Sequence, residues 1–145
     1  QWPDDGQGLY QKNTVMQKAA AQYFDEVVDE LHLNKEHNII VTGHSKGGNE
    51  AQFVTMAAQH SDLIDSCYSI DGQGFSKKAR KSFQEELGDE EYQARRNKMY
   101  SINSQNDYVH GLGIVIIPND TEHTIYLSVP PEVGVGGQHA LEHLL

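Results

Sequence analysis

Asn38-Ile39-Ile40-Val41-Thr42-Gly43-His44-Ser45-Lys46-Gly47-Gly48-Asn49 opens on a short apolar, β-branched run and closes on a glycine-rich turn. The run reads as a fully buried strand. Gly43-His44-Ser45-Lys46-Gly47 matches G-x-S-x-G, and a helical pattern follows from about Gly48 to His60. Strand, turn and helix in that order are the setting of a nucleophile elbow, in which a serine stands on a strained turn above the end of a sheet. Side chains two residues before and two after such a serine collide with the turn, which accounts for Gly43 and Gly47. The helix N-terminus then lies beneath the reacting carbonyl. The backbone N–H of Lys46 is therefore the expected oxyanion donor, and the helix dipole favours the charge that develops there. The blander alternative is a strand–helix turn that cradles a phosphate. A Walker-type loop is not matched, because no Gly-Lys-Ser/Thr stands at the required spacing.

The chain has 145 residues, enough for one domain with one core. No apolar run approaches the roughly 18 residues of a membrane span, so no integral membrane segment is expected. A net charge of -10 argues against nucleic acid and anionic membrane surfaces as partners. The single Cys67 excludes an internal disulfide framework, and its apolar surroundings suit a buried structural thiol.

Gln1 to Asn13 is polar and glycine-rich and reads as a loop. Thr14 and Gln17 match a capping box ahead of an amphipathic helix. Its stripe of Met16, Ala19, Ala20, Tyr23, Phe24, Val27, Val28 and Leu31 is expected in the core. A second buried strand, Ile64 to Ile70, ends at the turn Asp71-Gly72-Gln73-Gly74-Phe75. Ser76 to Asn97 reads as two short surface helices broken at Gly88-Asp89, with Phe83, Leu87 and Tyr92 as their apolar positions. Met99 to Ile102 is a third strand. His123 to Val129 alternates as a last one, and His139 to Leu145 looks like the start of a helix. Strands alternating with helices imply an α/β fold with a mostly parallel sheet and flanking helices. Chemistry in such sheets gathers at the carboxyl ends of the strands, and Ser45, Asp71, Asp107 and His139 all follow strands.

A serine nucleophile needs a base within hydrogen-bond reach, and the base needs an orienting carboxylate. In the hydrolase chain order the serine comes first, then the acid, then the histidine. Of eight histidines, only His139 follows a final strand on a glycine-rich loop, with His143 second. For the acid, Asp71 follows the first strand after the elbow and Asp107 the next. Both are also ordinary turn residues.

These residues resemble a family. Thr42-Gly43-His44-Ser45-Lys46-Gly47-Gly48-Asn49 is similar to the elbow of class 3 lipases and of an uncharacterised bacterial lipase-like branch. Asp71-Gly72-Gln73-Gly74-Phe75 resembles an Asp-Gly-Pro-Gly-Phe segment of that branch, with Gln73 in place of proline. Asn106-Asp107-Tyr108-Val109 resembles the segment with the triad acid, and Gly137-Gln138-His139 the segment with the histidine. The resemblance implies an α/β-hydrolase fold and a catalytic triad of Ser45, Asp107 and His139. It also implies an ester or lipid substrate and chemistry without a metal or organic cofactor. That fold takes a second oxyanion N–H from a loop after an earlier strand. No earlier strand is legible, so residues 1–145 are expected to be one domain that forms the C-terminal part of a larger hydrolase domain.

Two other readings compete. His139-Ala140-Leu141-Glu142-His143 matches H-x-x-E-H, in which His139 and His143 would bind zinc and Glu142 would act as base. A non-catalytic α/β module is the other, with the charged 76–97 segment as a partner surface or lid.

Overall fold

The computed structural model describes residues 2–105 and 109–128, with side chains from Thr14 onward except that of His110. The order of elements is helix α1 (Trp2–Glu30), strand β1 (Ile39–His44), helix α2 (Lys46–Ala57), strand β2 (Ile64–Ile70), helices α3 (Lys77–Leu87) and α4 (Asp89–Arg96), and strands β3 (Met99–Ser104) and β4 (Thr124–Leu127). Short 3₁₀ turns lie at Ser61–Leu63 and Val109–Gly111. The pairings between these strands are parallel, and the sheet order follows the chain: β1-β2-β3-β4. Each connection therefore returns the chain to the same end of the sheet, which brings the residues after β1, β2 and β3 together.

Side-chain alternation divides the sheet. Cys67 and Met99 pair across β2 and β3 and are fully buried under the helices, with Ala51, Met56, Phe83 and Tyr92 packed over them. Ala21 of α1 joins Val54, Ala58 and Ile64 in a second cluster, and Val41 and Phe53 touch both. On the other face, Tyr68 stacks on Tyr100 with ring centres 5.2 Å apart, and Tyr100 stacks on His123 at 5.0 Å. Burial pushes the Cys67 thiol up to about 11, so it stays protonated and inert.

Three sequence expectations change. The first helix does not begin at Thr14. It runs through the stretch read as a loop, starting at Trp2. Pro3 falls in its first turn, where a missing N–H costs nothing. Thr14 and Gln17 are thus inside the helix, and Gln17 bonds to α2 instead of closing a capping box. Second, only part of the apolar stripe of α1 is covered. Val28 is buried, Ala20 and Phe24 are half-buried, and Met16, Ala19, Tyr23 and Leu31 are exposed. Third, β1 is not a fully buried strand. Among the described strands it stands at one end of the sheet, and Ile40 is 52% exposed. A β-branched run does not distinguish a central strand from an edge, because propensity reports fit to a half-buried pleat.

The break between α3 and α4 falls where expected. Gly88 has φ 80°, which a glycine adopts without penalty. Ser76 caps α3 by accepting from the Ala79 N–H at 3.0 Å.

His123 and Asp120 tie down the chain before β4. Asp120 Oδ1 accepts from the His123 backbone N–H at 2.7 Å and lies 2.9 Å from its Nδ1. The His123 Nε2 lies 3.2 Å from the Asn97 carbonyl. The bond to Asp120 raises the His123 pKa, and the same bond lowers that of Asp120. A raised histidine contributes stability that is complete below its ordinary value near 6.5 and is lost as pH rises through the folded value. A lowered aspartate contributes stability that is present above its ordinary value near 3.9 and is lost as pH falls through the folded value. The pair therefore stabilises most between about pH 4 and 6.5. Thermal unfolding of Asp120→Asn against wild type should show the largest Tm difference there and a shrinking one at alkaline pH. A difference that grows above about pH 8 contradicts this account.

Candidate active site

Ser45 sits between the last residue of β1 and the first of α2 with φ 58° and ψ -119°. An L-residue occupies that region only when its surroundings force it. Three hydrogen bonds do so here. The Ser45 N–H donates to the Ile70 carbonyl at 2.8 Å, extending the β1–β2 ladder by one bond. The Ser45 carbonyl accepts from the N–H groups of Gly48 (2.9 Å) and Asn49 (3.2 Å), starting the helix. Although Ser45 is the N-cap residue of α2, its side chain makes no capping bond. Serine at an N-cap ordinarily spends its hydroxyl there. Lys46 is the first residue of α2, and its backbone N–H is among those without an intrahelical acceptor, at the positive end of the dipole. Its ammonium donates to the Met16 sulfur at 3.0 Å, against α1.

The glycines divide differently from the sequence expectation. A Cβ on Gly43 would lie 2.2 Å from the Gly47 carbonyl oxygen, so the strand and the helix start meet there without room for a side chain. A Cβ on Gly47 would meet nothing within 4 Å. The second close approach belongs to Gly48, whose Cβ would lie 2.6 Å from Ser69 Oγ and 3.0 Å from Gly72 Cα. Helix and sheet thus touch one residue later than the motif implies. We expect Gly43→Ala to destabilise the fold by several kcal/mol, since backbone has to move. Gly47→Ala should be neutral or stabilising by up to about 1 kcal/mol, because alanine is the better helix former. Chemical denaturation of the two variants checks this, and equal losses would contradict it.

Asp71 is the second strained residue at this end of the sheet, with φ 49° one position beyond β2. It is fully buried. Its N–H donates to the Ile102 carbonyl at 2.8 Å. Its carboxylate accepts from the Ser104 N–H at 2.7 Å and the Ser104 hydroxyl at 3.1 Å, fastening the end of β3. Ser45 and Asp71 therefore end adjacent strands, and both hold conformations that cost energy.

Asn49 is a site element to which the sequence reading gave no role. It is 3% exposed. Its amide donates to the carbonyls of Gln73 (3.2 Å) and Gly74 (2.9 Å), and its oxygen accepts from Gln17 at 2.7 Å. One side chain locks α1, the first turn of α2 and the turn after β2. The available signal was a polar residue directly after a Gly-Gly helix start, at a position facing inward.

Asp107, His139 and His143 lie outside the described residues, as does Glu142. Among the described residues, no cluster of three or more His, Cys, Asp or Glu could hold a metal ion. Among the same residues no strand precedes β1, and no helix is long and apolar enough to cross a membrane.

The described chain is an α/β protein whose four-stranded parallel sheet carries a strained serine at a strand–helix junction. It belongs to the Mbeg1-like family, whose model matches residues 1–113. No curated protein and no solved structure matches the chain.

Proposed function

We propose that this protein is a serine hydrolase of the carboxylesterase or lipase type, with an α/β-hydrolase-like fold and Ser45 as the acyl-enzyme nucleophile. The observation that carries the reading is the backbone of Ser45. A strained φ of 58° is held between β1 and α2 while the hydroxyl is withheld from the cap it would normally make. Strain of this kind keeps the hydroxyl, though not the backbone, out of the helix hydrogen-bond system and leaves it available for attack. The Lys46 N–H is the oxyanion donor in this reading. The resemblance to class 3 lipases adds Asp107 as acid and His139 as base. The hydroxyl of Ser45 adds to the ester carbonyl, His139 takes its proton and returns it to the leaving alcohol, and water then hydrolyses the acyl-serine by the same proton transfers reversed. The substrate class is an ester, lipids included.

A fluorophosphonate probe tests this directly. It should phosphonylate Ser45, identified by peptide mass spectrometry, and labelling should be lost in Ser45→Ala. Absence of labelling at Ser45 in a folded sample that turns over p-nitrophenyl esters would overturn the assignment.

A further inference from the structure

A groove of about 1060 Å³ lies on the helical face. Its floor is Phe53 and Ala57 of α2, one wall is Gln17, Ala21 and Asp25 of α1, and the other is Ala79 and Phe83 of α3. Helices α1 and α2 run in one direction, since Gln17 bonds to Asn49 and Asp25 accepts from the Gln59 N–H at 3.0 Å further along, and Phe83 of α3 packs on Phe53. From Thr14 to Asp29 the groove is about 22 Å long at the helical rise. The volume lies at the upper limit of about 1000 Å³ for small-molecule sites, and the shape is a trough for a helix.

The outer side of α1 supplies such a helix. Val15, Ala19 and Tyr23 stand four residues apart in one row, on the side turned away from the buried Ala21 and Val28. Val15 is 65% exposed and Tyr23 70%. Charge fixes the direction. Lys18 and Lys78 line the groove towards the Ser45 end, and Asp25, Glu26, Asp29 and Glu86 line it towards the other. An α1 laid antiparallel brings its own Lys18 towards those carboxylates. An α1 from another copy, centred on Gln22, also sets Lys18 of each copy opposite Glu26 of the other. A two-fold axis makes every such contact twice.

We propose that this groove is the self-association surface of the protein, in which each of two copies inserts the Val15–Ala19–Tyr23 row of its α1, antiparallel, into the groove of the other. This goes beyond the hydrolase reading and does not depend on it. Tyr23 is the anchor, an aromatic ring seated over the Phe53–Phe83 floor.

Sedimentation velocity of the whole chain across a concentration series to about 100 µM tests it, that limit being well above the Kd of a specific dimer. The chain should reversibly dimerise. Tyr23→Glu should raise the dissociation constant roughly thirty-fold or more, the loss expected of a hot spot. Glu26→Lys should weaken the dimer, and Lys18→Glu added to it should restore it. All three positions are on the surface of α1, and far-UV circular dichroism confirms that the variants keep their helices. A monomer throughout the series overturns the proposal. So does a dimer indifferent to both Tyr23→Glu and Glu26→Lys, or a charge swap that fails to recover association.

Discussion

Ser45→Ala should lower turnover of short p-nitrophenyl esters by about a million-fold, the scale seen when a serine protease loses its nucleophile. The alcohol that forms the acyl-enzyme is absent, and the oxyanion donor and substrate binding alone leave a residual rate of about 10³–10⁴ over water. The same residue should report on stability in the opposite direction. Alanine keeps the Cβ, so the strain of φ 58° persists. Ser45→Gly removes it at a position where glycine is at ease. The relief of about 1–3 kcal/mol exceeds the unfolded-state entropy that glycine costs. Ser45→Gly should therefore be inactive and have a higher Tm than Ser45→Ala. A more stable protein on deleting the nucleophile is the signature of strain held for function. Unchanged turnover in Ser45→Ala would end the hydrolase reading. Equal Tm values would leave the nucleophile in place and remove the strain argument.

How much of this was legible before the structure depends on the range over which each signal acts. The strand–turn–helix at Ser45 was legible because it is local. Four consecutive constraints (an apolar run, Gly43, Ser45 and a helix start) act within a dozen residues, and the strand, strained turn and helix follow from them. The break at Gly88 was legible for the same reason. The start of α1 was not, because Gly6 and Gly8 lower helix propensity and the Thr14–Gln17 pattern imitates a cap. The place of β1 at one end of the described strands was not legible, because strand order is a long-range property. Nor was the division between Gly47 and Gly48. The motif fixes which glycine is written, whereas the contact is made with Ser69 and Gly72 some twenty residues away. The Asn49 lock joins residues 32 and 25 positions apart and had no local signal beyond its polarity.

The proposed triad takes Asp107 as its acid over Asp71, and the two choices predict different variants. Asp107→Asn should lower turnover by about ten-thousand-fold with the fold intact, as loss of the orienting carboxylate does in the best-studied triad. The imidazole is then held in the wrong tautomer, and the imidazolium formed during attack loses its counter-charge. Asp71→Asn should act differently. The carboxylate of Asp71 accepts two bonds from Ser104 inside the protein. An amide has a single acceptor oxygen. Whichever way it turns, its NH₂ faces either the Ser104 N–H, a donor that cannot reverse, or the Ser104 hydroxyl. With the amide oxygen on the N–H, the hydroxyl turns to accept from the NH₂, and exchanging charge-assisted bonds for neutral ones at this buried position costs about 1 kcal/mol. Strain at φ 49° adds a tendency for the turn to relax once the carboxylate grip is gone. The expected result is a lower denaturation midpoint for Asp71→Asn and a modest fall in kcat, because Ser104 and the chain beyond β3 lose their anchor. The two aspartates are thus separable by measuring kcat and the unfolding midpoint on both variants. Asp107→Asn should move only the first, and Asp71→Asn mainly the second. A ten-thousand-fold loss in Asp71→Asn at unchanged stability, with Asp107→Asn active, would transfer the acid to the end of β2.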